Sequence, residues 1–101
     1  MSKKYTREQL IERVVRAGSD LVAAESVFCE ARHEIKSMYA TYFRAHGRPE
    51  GEFLPYAKEF RGVVEFTAGA NARRAQARQQ VHNARRRLER AVLALKREGW
   101  A

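Results

Sequence analysis

Arginine is the residue type in this sequence whose number and spacing most clearly indicate a binding chemistry. Between residues 73 and 90, Glu89 is the one acid among seven arginines: Arg73, Arg74, Arg78, Arg85, Arg86, Arg87 and Arg90. A guanidinium group binds phosphate in a bidentate manner, and a helix can present such groups along a nucleic-acid groove. These arginines therefore predict a surface that binds nucleic acid or another polyanion, with little base specificity.

The alternative interpretation is that these arginines pair with acids elsewhere in the chain. Arg85 and Arg87 could pair with Glu8 or Glu12, and Arg78 with one of two other acids, Asp20 or Glu25. Exposed pairs of this kind are each worth about 0–1 kcal/mol, but they help to specify helix register. An acidic protein surface is a third candidate for the partner.

Two short spacings resemble parts of catalytic or metal sites. Cys29 and His33 lie one helical turn apart, as in a thiolate–imidazole pair, but no oxyanion-hole or substrate-binding motif accompanies them. Glu30 and His33 have the Glu-x-x-His spacing of dinuclear carboxylate bundles, to which Glu65 could add a ligand. Because so short a motif occurs often by chance, surface residues are the ordinary explanation. We expect a non-enzymatic protein without catalytic residues, metal or cofactor.

Net charge and cysteine content limit the classes of partner and the cellular compartment that fit this sequence. The chain has 101 residues and a net charge of +8, which favours acidic partners and suits one small domain, residues 1–101. A single cysteine, Cys29, suits a reducing compartment and predicts a cytoplasmic location. No stretch approaches the about 18 apolar residues of a transmembrane helix, so we expect no membrane partner.

The elements that carry these residues are predicted to be helical. Thr6 and Gln9 fit a capping box, which starts helix 1 at about residue 7. An apolar stripe with 3,4 spacing then continues to about residue 46: Leu10, Val14, Ala17, Leu21, Ala24, Phe28, Ala31, Ile35, Met38, Tyr42 and Ala45. Gly47 and Pro49 end the helix. A short helix followed by a long one capped at Ser19 or Asp20 is the alternative.

A second helix is predicted over residues 55–98, after a loop at 47–54. Its apolar stripe has one charged interruption, Arg74, and is formed by Phe53, Tyr56, Phe60, Val63, Thr67, Ala70, Ala77, Val81, Ala84, Leu88, Ala91 and Leu95. Gly62, Gly69 and Asn71 weaken this helix, so a break near residues 67–71 is an alternative to a continuous helix. A Schellman ending is predicted at Glu98, Gly99 and Trp100.

Two helices of about 40 residues joined by a short loop predict an all-α, coiled-coil-like antiparallel hairpin. Residues whose numbers sum to about 100 should face each other, which brings Tyr5 near Trp100. Seven aromatic residues should gather at the loop end: Tyr39, Tyr42, Phe43, Phe53, Tyr56, Phe60 and Phe66. They form either a local core or a contact patch.

Helix 1 also carries a second apolar stripe, which one partner helix cannot cover. We expect a protein interface there, at Val15, Val22, Tyr39 and Phe43, and a homodimer or higher homo-oligomer that forms a helical bundle. A bent helix 2 that covers both stripes is the rival. The leading function is therefore polyanion binding by a basic helical protein. The alternatives are an adaptor or inhibitor that occludes a surface of a larger, nucleic-acid-handling complex, and a purely structural coiled coil.

Overall fold

A computed structural model describes residues 5–100 of the chain. In this range, helix α1 spans Arg7–His46, a short 3-10 turn spans Lys58–Phe60, helix α2 spans Arg61–Arg97, and there is no strand. The two helices lie side by side in a molecule of 65 × 20 × 19 Å. The prediction of an all-α antiparallel hairpin is confirmed. None of the helices in residues 5–100 has the length and apolar character needed to cross a membrane.

Helix α1 is one continuous element, and its limits are those that the sequence predicts. The Thr6 hydroxyl accepts a hydrogen bond from the Gln9 amide at 3.2 Å, and the Gln9 side chain accepts one from the Thr6 amide at 2.8 Å. This reciprocal pair is the predicted capping box. At the other end, the N–H of Gly47 donates to the carbonyl oxygen of Phe43 at 2.8 Å. The alternative start at Ser19 or Asp20 is therefore wrong.

Helix α2 begins at Arg61, later than the predicted start at residue 55. A turn closed by the N–H of Ala57 and the carbonyl of Leu54 precedes it, and Ala57 itself is extended, with φ −78° and ψ 144°. The extended residue prevents one helix from running through this segment. After this turn, the ring centroid of Phe53 lies 4.8 Å from that of the buried Phe60. Aromatic packing therefore accompanies the late start of α2.

The possible break near residues 67–71 is not present, because α2 is continuous from Arg61 to Arg97. The polar side chains of this segment bond to their own helix instead of ending it. The Thr67 hydroxyl donates to the Val63 carbonyl at 2.8 Å, and the Asn71 amide donates to the Thr67 carbonyl at 3.2 Å. Thr67 and Ala70 are fully buried. Packing against α1 stabilises the segment despite its weak intrinsic helix propensity.

The predicted Schellman ending is confirmed at the end of α2. The N–H of Trp100 donates to the carbonyl of Leu95 at 3.2 Å, and that of Gly99 donates to the carbonyl of Lys96 at 2.9 Å. Gly99 has φ +74°, a left-handed conformation that glycine adopts without a steric cost. The carbonyl groups of Leu95 and Lys96 in the last turn of α2 are thereby satisfied.

The two apolar stripes face each other, but their register differs from the prediction. Glu34 of α1 pairs with Arg73 of α2, whereas the predicted register would place Glu34 opposite residue 66. The late start of α2 accounts for this shift of about seven residues. Because seven residues are one heptad, the shift leaves the same side chains inside. The buried residues are Leu10, Ala17, Ile35, Phe60, Val63, Thr67, Ala70, Ala77, Val81, Ala84 and Ala91.

Candidate nucleic-acid interface

The seven predicted arginines of α2 are all exposed, but they do not form a single surface. Arg74, Arg78 and Arg85 line one groove between the two helices. Arg73 lines a groove on the opposite flank of the hairpin. The remaining three, Arg86, Arg87 and Arg90, line neither groove. The structure thus separates arginines that the sequence presents as one continuous run.

Helix α1 supplies a fourth arginine to the first groove. Arg32 lines it together with Phe28, and the Arg32 guanidinium carbon lies 5.8 Å from the centroid of the Phe28 ring. This cation–π contact orients the guanidinium above the ring. Sequence reasoning missed Arg32 because it considered only the arginines of the second helix. The signal was present, since Arg32 stands beside the apolar stripe, between Phe28 and Ile35.

We call this feature the basic groove and define it by Arg32, Arg74, Arg78 and Arg85. No aspartate or glutamate lines it. Within residues 5–100, no ion pair joins any of these four guanidinium groups to a carboxylate. Their charge is therefore available to a ligand, on both walls of the groove.

The basic groove continues into a neighbouring shallow groove along α1. Arg32 and Arg74 line both, and the second groove adds His33, Lys36 and the exposed Cys29. Again no carboxylate is part of the lining. One flank of the hairpin therefore presents a basic surface that extends beyond the four arginines.

The groove on the opposite flank contains charges of both signs, with two glutamates and one arginine. Arg73 donates from Nη2 and Nε to the same carboxylate oxygen of Glu34, at 2.6 and 3.0 Å. Glu30, Gln76 and Gln80 line the same groove. A helix-to-helix ion pair therefore exists, but at an arginine for which the sequence did not predict one.

The sequence suggested ion pairs between acids of α1 and three arginines of α2, Arg78, Arg85 and Arg87. None of these pairs forms within residues 5–100. Glu12 bonds instead to Arg16 of its own helix, at 2.8 Å. The register explains the difference, because it moves Glu8 and Glu12 opposite the C-terminal end of α2, beyond Arg85 and Arg87. Ion pairing with α1 therefore does not account for the predicted arginines other than Arg73.

The aromatic residues at the loop end form a connected cluster, as predicted. Tyr39 lies 5.5 Å from Phe53, and Tyr42 lies 5.6 Å from Phe66, measured between ring centroids. Phe43 contacts both tyrosines. Tyr56 stands apart from these rings and is 86% exposed. The cluster closes the tip of the hairpin, as a local core would.

The four predicted interface residues separate into two groups. Tyr39 and Phe43 are half-buried and belong to the aromatic cluster. Val15 and Val22 are 66% and 67% exposed, and Ile11 beside them is also exposed. The uncovered apolar surface of α1 therefore lies in its N-terminal half. A bent α2 does not cover it, so that rival prediction is wrong.

Neither short spacing near residue 30 assembles into a larger site. Glu30 and His33 line different grooves, so the Glu-x-x-His spacing does not bring them to one site. In the part of the chain that the structure describes, no three His, Cys, Asp or Glu residues form a group that could hold a metal ion. Cys29 and His33 line the same shallow groove, and no hydrogen bond joins them among the described residues.

Compared with protein-family models, with curated proteins and with solved structures, the chain matches none of them.

Proposed function

We propose that this chain is a non-enzymatic basic protein that binds nucleic acid or another polyanion through the basic groove. The observation that carries the proposal is the set of four guanidinium groups on two facing helices, with no carboxylate in the lining. Each guanidinium that contacts a phosphate releases a condensed counterion, which favours binding and makes it dependent on salt. Contacts of this kind position a backbone and carry little sequence information.

The test is a binding titration with a fluorescently labelled oligonucleotide, followed by anisotropy over a salt series. We expect binding at about 50 mM salt that weakens steeply by about 200 mM. The groove variant Arg74→Gln, Arg78→Gln, Arg85→Gln should lose most of the affinity and most of the salt dependence.

The control variant removes the same charge from outside the groove. It carries Arg86→Gln, Arg87→Gln and Arg90→Gln, and it should retain most of the affinity of the unmodified chain. Two results would contradict the proposal. One is the absence of binding at low salt. The other is an equal loss in both variants, because that would reflect net charge and not the groove.

We further propose that the chain self-associates through the exposed apolar face of α1, formed by Ile11, Val15 and Val22. The support is the exposure of these neighbouring side chains on a small protein, since a homodimer is the commonest way to cover such a face. Sedimentation equilibrium should give a mass above that of one chain. Val15→Asp with Val22→Asp should yield a monomer. Val27→Asp is the control, because Val27 is also exposed, at 56%, but lies outside this face, in the groove that contains Glu34 and Arg73.

The same face supports a second candidate function, that of a small adaptor or inhibitor that occludes a larger protein. This function predicts a monomeric chain in isolation. It also predicts a complex of fixed stoichiometry that survives nuclease treatment and is lost in the Val15→Asp, Val22→Asp variant. A stable homodimer through this face would exclude it, because the same surface cannot serve both contacts.

A further inference from the structure

The basic groove runs along the axis of the hairpin, between the two helices. Arg74 and Arg85 are eleven residues apart on α2, which corresponds to about 17 Å along the helix axis. A nucleic-acid backbone follows this row of guanidinium groups when it lies lengthwise in the groove.

We propose that the ligand of the basic groove is single-stranded nucleic acid that lies lengthwise between the two helices. This inference rests on the proposed function and narrows it to one ligand class. A single strand can pass between Arg32 on one wall and the three arginines of the other.

The lining also offers contacts that a base can use. The Arg32 guanidinium lies over the Phe28 ring, and the outer side of its plane is a stacking surface for an unpaired base. Gln79 and His82 line the groove beside it and carry side-chain donors and acceptors. A duplex keeps its bases stacked inside, so these contacts favour a single strand. Sulfated polysaccharides have no base to stack.

The experiment measures competition for a labelled single strand of about eight nucleotides, within the range of known single-strand sites of about 4–16. The competitors are the same strand unlabelled, the corresponding duplex, and heparin. We expect the unlabelled strand to compete at least about tenfold better per phosphate than the duplex. If Arg74, Arg78 and Arg85 contact phosphates while Arg32 stacks on a base, the slope of log affinity against log salt should be about −2, at about −0.7 for each phosphate.

Two charge-conserving variants test the stacking contact. Arg32→Lys keeps the positive charge but removes the planar guanidinium, so it should weaken binding of the single strand while the duplex is bound as before. Arg87→Lys is the matched control outside the groove, and it should change the affinity for neither the single strand nor the duplex. Thermal melting by circular dichroism checks that both variants fold like the unmodified chain.

The outcomes separate this inference from the proposed function. Preferential competition by the single strand, together with a selective effect of Arg32→Lys, would support both. Equal or better competition by the duplex or by heparin would overturn the single-strand inference and leave polyanion binding intact. Loss of binding in the Arg86, Arg87 and Arg90 variant alone would overturn both, because that would place the binding surface outside the basic groove. No binding of any of the three ligands would overturn both proposals.

Discussion

Gly62 and Gly18 lie within the two long helices, and replacing each with alanine should change stability in opposite directions. Alanine in a helix interior is favoured over glycine by about 0.5–1 kcal/mol. At Gly18 an added Cβ would meet no atom within 4 Å. Gly18→Ala should therefore raise the free energy of unfolding by about 0.5–1 kcal/mol.

Gly62 is the second residue of α2, in its first turn and not in the helix interior, and an added Cβ there would collide with α1. An added Cβ would overlap the Tyr42 hydroxyl oxygen and lie 3.1 Å from the ring carbon that carries it. Tyr42 is half-buried, and its ring centroid lies 4.5 Å from that of His46 and 5.6 Å from that of Phe66. The Tyr42 side chain must turn away from the new methyl group, and a rotation of about 30° off its rotamer costs about 0.5–1.5 kcal/mol. Gly62→Ala should therefore be less stable than the unmodified chain by about that amount, whereas Gly18→Ala should be more stable.

The assay is urea unfolding followed by far-UV circular dichroism, with Tyr42→Phe as the second variant of a double-mutant cycle. Removing the hydroxyl removes the nearest colliding atom, so Gly62→Ala should cost much less in the Tyr42→Phe background. A positive coupling of about 0.5–1.5 kcal/mol is expected, as for residues in direct contact. The reasoning is refuted if Gly62→Ala stabilises as much as Gly18→Ala, or if its cost is unchanged without the hydroxyl.

Three further predictions concern the cap, the core and the charged flank. Thr6→Ala should lower the free energy of unfolding by about 1 kcal/mol, because it removes the hydroxyl that accepts from Gln9; an unchanged urea midpoint would argue against the cap. Ala84→Leu should cost at least about 1–3 kcal/mol, since Ala84 is buried between the helices; retention of the original melting temperature would show that the helices can separate to accommodate it. Arg73→Gln should lower the free energy of unfolding by no more than about 1 kcal/mol, as expected for a partly exposed ion pair. It should also reduce oligonucleotide affinity less than Arg78→Gln does. The reverse order of affinities would place the binding surface on the Arg73 flank and not in the basic groove.

The features that could be predicted from the sequence are those that depend on residues close together in the chain. The cap at Thr6, the end of α2 at Gly99 and both apolar stripes depend on spacings of three to seven residues, and the structure has all of them. The start of α2 could not be placed in the same way. Pro55 is compatible with a first helical turn, but the structure has an extended Ala57 followed by a 3-10 turn there.

The late start of α2 had a larger effect on the predicted site than on the predicted core. A shift of one heptad returns each stripe to the same face, so the core prediction survives it. Ion pairs depend on which level of one helix faces which level of the other. The predicted partners of Arg78, Arg85 and Arg87 were therefore wrong, and Glu34 was not recognised as the partner of Arg73.

Arg32 was missed for a related reason. A run of arginines along one helix is visible in the sequence, whereas a groove forms only where two helices meet. The three arginines of α2 that line the basic groove are separated in the sequence by three and six residues, and nothing local distinguishes them from Arg86 or Arg90. Their distinction comes from the face of α2 that lies beside Arg32 of α1.

The charge difference between the two flanks can be traced to one segment of α1, residues 30–36. Glu30 and Glu34 are four residues apart and line the groove that contains Arg73. Arg32 and Lys36 are also four residues apart and line the basic surface on the other flank. Acids and bases alternate every second residue, which sorts each sign onto its own side of the helix. Like charges at this spacing destabilise an isolated helix by about 0.2–0.5 kcal/mol for each pair. Exchanging one acid with one base would have given favourable pairs instead. In the hairpin this order is partly offset, because Glu34 pairs with Arg73 of α2, and it leaves Arg32 and Lys36 together on the basic surface.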